Sequence, residues 1–145
     1  MKPVVTWVVL ANARTAKVLA HRRPGKGLSP VSGKIWQAPE ASMPRDKAGV
    51  GHSVSGPGIA AVEQTHPQDL NDARFAKEVL GHVSKARLDK QFDRLILLAG
   101  PHMLGLLRTH LDPALRATLL GEIPKDLSHL PISDVEEHIG ELIAV

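Results

Sequence analysis

Residues 4–11, Val-Val-Thr-Trp-Val-Val-Leu-Ala, are apolar at nearly every position and rich in β-branched side chains. That pattern predicts a strand covered on both faces, and so a central one. Asn12-Ala13-Arg14 is too short a link for anything but an antiparallel return, which makes residues 15–21 the second strand. A basic turn follows, Arg22-Arg23-Pro24-Gly25-Lys26-Gly27, and then a third strand within 28–37, broken around Ser32-Gly33. Residues 38–64 hold four glycines and three prolines and keep no sustained period. They read as one long flexible loop, and loops of that length inside a domain are usually functional or disordered.

The period changes at residue 65. Thr65-His66-Pro67-Gln68 fits a capping box, and Ala73, Ala76, Val79, Leu80 and Val83 form a helical stripe, which predicts a helix over 65–88 facing the core. Phe92 to Ala99 is a fourth apolar run ending at Gly100-Pro101, and a strand–helix–strand order with such a connection favours a parallel neighbour. A second helix is expected from Pro101 to about Thr109. Asp112-Pro113 should cap and open a short third one, ending near Leu119. Residues 119–125 complete the strands, with Pro124 near an edge or a strand end. Ser133-Asp134-Val135-Glu136 fits a second capping box, opening a last helix with Val135, Ile139, Leu142 and Ile143 turned inward.

The order is therefore β-β-β-α-β-α-α-β-α, an α/β fold. Its mixed five-stranded sheet has three antiparallel strands followed by alternating helix and strand units, with helices packed on it. This is the element order of the ribonuclease H-like superfold. A length of 145 residues suits one domain, 1–145, carrying the 38–64 loop. Apolar residues at 43% exclude a disordered chain, and no apolar run approaches the roughly 18 residues of a membrane span. Without cysteine there is no disulfide, thiolate zinc site or Cys nucleophile. The stretch from Lys2 to Ala13 is too short for a signal peptide and is interrupted by Pro3 and Thr6, so the expected location is cytoplasmic.

Charge sharpens the picture. Residues 1–60 hold nine Lys/Arg against two acids, a charge of +7; residues 61–145 hold nine against thirteen, −4. A basic face suits phosphate-bearing partners, RNA above all, with no DNA specificity expected. The basic-turn residues Arg22, Arg23 and Lys26 are candidates, as are Arg45, Lys47, Gly49, Gly51, His52 and Ser53 in the glycine-rich loop, where freed backbone N–H groups could meet phosphate.

Familiar catalytic chemistries find little support. The first strand lacks the carboxylates of a two-metal nuclease, and the fourth has only Asp93, at its start. Gly51 to Gly56 has P-loop glycine spacing, but Pro57-Gly58 stands where Lys and Ser/Thr belong. Eight histidines form no close ligand pair, and no G-x-S-x-G elbow surrounds Ser53 or Ser55. The expectation is no catalytic residue, no metal and no cofactor.

Several segments in order resemble a bacterial family of proteins required for attachment to host cells. They are Trp7 to Val18, Asp46-Lys47-Ala48-Gly49 with Gly51-His52-Ser53, Ala73 to Val79, Phe92 to Pro101, Leu104 to Arg108 and Glu122 to Leu127. That family resembles in turn the middle domain of archaeo-eukaryotic peptide-chain release factors. There a Gly-Gly-Gln tip follows the third strand and promotes peptidyl-tRNA hydrolysis; this chain has no Gly-Gly-Gln. The resemblance implies a non-catalytic ribosome- or RNA-associated module. Two alternatives stand beside it: a protein-interaction factor in attachment to host cells, direct or indirect, and a hydrolase using His52 and Ser53.

Overall fold

The computed structural model describes residues 4–39 and 67–145, and its frame is one mixed sheet of five strands. The strands are β1 (Thr6–Ala11), β2 (Thr15–His21), β3 (Leu28–Gln37), β4 (Arg94–Ala99) and β5 (Leu119–Ile123). Their spatial order is β3-β2-β1-β4-β5. β1 pairs antiparallel with β2 and parallel with β4; β2 and β3 are antiparallel, and β4 and β5 parallel. Four helices complete the described residues: α1 (Pro67–Leu88), α2 (Pro101–His110), α3 (Pro113–Thr118) and α4 (Ile132–Ile139).

β1 is central because all six of its residues are apolar or small enough to be covered from both sides, and all six are buried. Alternation sorts them between two cores. Trp7, Val9 and Ala11 point with Leu95, Leu97 and Ala99 toward α1, α2 and α3, where they meet Phe75, Val79, Val83, Leu104, Leu107 and Leu115. Val8 and Leu10 point with Ile96 and Leu98 to the other face, against Val135 and Ile139 of α4. Each fully buried aliphatic or aromatic side chain contributes about 1.5–3 kcal/mol relative to exposure. Trp7 stacks on Phe92 with ring centroids 4.8 Å apart.

The edge strand β3 shows why the chain looked broken at Ser32-Gly33. β3 is continuous, but Val31 to Lys34 together oppose the single residue Val18, and Gly33 takes φ +75°. The break is a bulge, which glycine's conformational freedom allows. Pro30 is tolerated because an edge strand leaves its outer side without a partner.

Four boundaries differ from the sequence expectation. β5 ends at Ile123, just before Pro124, instead of at residue 125. β4 begins at Arg94, because the Asp93 carboxylate turns back to accept the Val5 N–H at 2.9 Å instead of continuing the ladder. α3 is capped as expected, with Asp112 accepting from the Leu115 N–H at 2.7 Å. The second capping box does not form. α4 starts one residue before Ser133, its N-cap is Pro131, and Glu136 instead accepts the Leu28 N–H at 2.7 Å. α4 also stops at Ile139, so Leu142 and Ile143 pack on the core from the turn beyond it. The first capping box and nearly all of the 38–64 loop fall outside the described residues.

Candidate functional site

β1, β3, β4 and β5 run in one direction, which gives the sheet two distinct ends. The end at their N-termini carries the β2–β3 turn. Gly25 and Gly27 both take positive φ there, and their N–H groups donate to the Val145 carbonyl at 2.9 and 3.3 Å. Gly27 is further constrained, since a Cβ at that position would lie 2.5 Å from Glu136 Oε2, the carboxylate that holds Leu28. The turn is thus fixed by backbone hydrogen bonds while its cations stay exposed. Arg22, Arg23 and Lys26 line one pocket of about 350 Å³ together with Ala20, Gly27 and Ser29. Among the described residues that line it none is acidic, and three cations face its opening, while the Glu136 carboxylate lies behind Gly27, engaged by the Leu28 N–H.

Of the nine candidates named from sequence, the fold gathers these three. Arg45, Lys47, Gly49, Gly51, His52 and Ser53 lie outside the described residues.

The opposite end lies outside the carboxyl termini of β1, β4 and β5, the usual place for ligands on parallel strands. Two clusters stand there. In the first, Asn12 Oδ1 accepts from the N–H groups of Arg14 and Thr15 at 2.8 and 2.9 Å, which closes the β1–β2 turn. Its Nδ2 donates to Ser128 Oγ at 2.9 Å, and Ser128 Oγ donates to Asp126 Oδ1 at 2.5 Å. Partial burial works to raise the Asp126 carboxyl. Hydrogen bonds from Ser128 and Asn12, with His129 nearby, outweigh it and hold the group below the usual carboxylate range. The cluster is internally satisfied and fastens the segment after β5 to the end of β1.

The second cluster joins two helices. Asp69 and Asp72, three apart on α1, share one helical face. His102 is the second residue of α2, directly after the Gly100-Pro101 that ends β4. Its Nε2 stands 3.3 Å from Asp72 Oδ2 and 3.6 Å from Asp69 Oδ1. The Asp72 side chain is 6% exposed, while Asp69 and His102 are open to solvent. Sequence reading passed over this set because its members are some thirty residues apart. The one local signal was an Asp-x-x-Asp pair near the start of a helix, whose first member, Asp69, also suits the helix dipole with no further role.

Residues 7–139 of the chain match the family described as "Protein required for attachment to host cells". An uncharacterized protein of Rickettsia prowazekii (strain Madrid E) is 31% identical over 87 residues, 59% of this chain. The match spans 58% of that relative's length, less than two-thirds of it.

Proposed function

This chain belongs to the family of proteins required for attachment to host cells, and from that premise we propose that it is a binding factor in attachment whose contact with an acidic protein partner runs through the β2–β3 turn. The observation that carries this reading is the convergence of Arg22, Arg23 and Lys26 on one pocket whose lining, among the described residues, includes no acidic residue. Arginine forks and a lysine point charge together suit carboxylate or phosphate groups presented by a partner surface. The turn keeps its shape through Gly25, Gly27 and Leu28 backbone bonds, so little ordering accompanies binding.

A second reading, a non-catalytic ribosome- or RNA-associated module, is favoured by the strand order β3-β2-β1-β4-β5 with α1 leading into β4. That arrangement agrees with the ribonuclease H-like plan of the release-factor middle domain. The absence of Gly-Gly-Gln from the sequence argues against peptide release in either case.

One experiment separates the two. A strain lacking the protein is complemented with wild type or with Arg22→Ala/Arg23→Ala/Lys26→Ala. Adherent bacteria on host cells are counted, and the tagged protein is followed through ribosome sedimentation in a salt series. The attachment reading expects the triple variant to lose adhesion while neither form travels with ribosomes. Salt-sensitive co-migration of wild type alone favours the RNA reading. Full function of the triple variant in both assays would remove the basic turn from either.

A further inference from the structure

The Asp69, Asp72 and His102 cluster is independent of the basic turn and stands at the other end of the sheet. Its geometry is unusual for a simple ion pair. A histidine donating to a carboxylate normally closes to about 2.7–2.9 Å. Here Nε2 stays at 3.3 Å from one carboxylate and 3.6 Å from the other, placed between them instead of docked on either. Those spacings match another object. Ligand atoms held about 2.0–2.2 Å from a tetrahedral ion stand about 3.3–3.6 Å from each other. All three ligand atoms lie within 4.8 Å of one another, close enough for side-chain rotation to bring them onto one ion.

The donors come from elements that the fold holds firmly. Asp69 and Asp72 are one helical turn apart on α1, whose inner face is anchored by Phe75, Ala76 and Val79. His102 follows the buried strand β4, and the next residues of α2, Met103 and Leu104, are buried as well. The rigid positions therefore belong to α1 and α2, Asp72 is buried, and the remaining freedom is that of the exposed Asp69 and His102 side chains.

We propose that Asp69, Asp72 and His102 form a site for one divalent transition-metal ion, zinc in particular. An imidazole with two carboxylates suits zinc, which takes four ligands from nitrogen and oxygen donors. Three protein ligands leave its fourth corner to water or to an oxygen atom of a partner. Bound there, the ion ties the start of α1 to the start of α2.

The test uses the full chain, stripped with chelator, dialysed and titrated with zinc chloride by calorimetry, with thermal unfolding followed in parallel. The expected result is one saturable ion per chain, and a midpoint of unfolding that rises with zinc. His102→Gln and Asp69→Asn, both at exposed positions that should fold, are each expected to weaken zinc binding at least tenfold. His110→Gln, at the far end of α2 where its ring faces the Leu106 carbonyl, is expected to bind as wild type does. Absence of saturable binding by wild type would overturn the proposal and leave the cluster as an ion-paired tie between helices. Undiminished binding by His102→Gln would overturn it equally, since the ion would then be held elsewhere.

Discussion

The two ends of the sheet solve opposite problems. At the β2–β3 turn the backbone is satisfied by other backbone and by Glu136, and the charged side chains Arg22, Arg23 and Lys26 are left over. At the carboxyl end the side chains themselves are the fastening: Asn12, Asp126 and Ser128 hold a loop to β1, and His102 sits between two carboxylates from another helix. Side chains free of structural duty can be removed with little harm to the fold, whereas those that close turns cannot. The two ends should therefore separate in mutational experiments, stability being read at one and binding at the other.

The largest expected effect tests the packing beneath the carboxyl end. Leu104 lies two residues after His102 and is fully buried, so Leu104→Ala should lose on the order of 2–5 kcal/mol in urea unfolding. A loss below about 1 kcal/mol would mean that α2 is not anchored there. Next is Asn12→Ala, which removes the acceptor for two N–H groups and the donor to Ser128; a loss of about 1–3 kcal/mol is expected.

A smaller effect appears with acid. Asp126 and Asp112 both titrate below the usual carboxylate range in the folded protein, Asp112 chiefly through the Leu115 N–H. The unfolded chain then binds protons first as pH falls. The stability these groups contribute is complete above about pH 4–5, and it is lost as pH falls through their lowered folded values. Asp126→Asn should flatten that acid limb in a circular-dichroism series, and an unchanged limb would place the titration elsewhere. The smallest stability effect belongs to the basic turn. Arg22→Ala, Arg23→Ala and Lys26→Ala should each stay within about 0.5 kcal/mol of wild type. If the partner is single-stranded RNA, each should flatten the log–log salt dependence of binding by about 0.7. A destabilised turn variant would erase the distinction between the two ends.

How much was legible in the sequence follows the same division. The basic turn was readable because Arg22, Arg23 and Lys26 fall within five consecutive residues. β1 and β4 were readable because runs such as Thr-Trp-Val-Val-Leu-Ala suit only a strand covered on both sides. Asp112 was readable because an N-cap acts on a residue three positions away. Ser133-x-x-Glu136 misled for the complementary reason: a local pattern competes with distant partners, and Leu28, 108 residues away, took the carboxylate. His102 meeting Asp69 and Asp72 depends on how two helices pack, and no local period encodes that.

The place of β1 between β2 and β4 also bears on how the chain comes off the ribosome. β1 and β2 can zip together as soon as residue 21 is made, but the other edge of β1 must wait for residues 94–99. At about 5–20 residues per second, that edge of unpaired N–H and C=O groups stays open for roughly 4–15 s. During that interval a strand whose six residues are all buried in the finished protein is also an unfinished one, able to pair with a neighbouring nascent chain. The dangerous edge thus belongs to the innermost strand of the finished sheet and exists only in time. Lengthening the connection between β3 and β4 would prolong it, and should raise aggregation during synthesis while leaving the completed protein soluble.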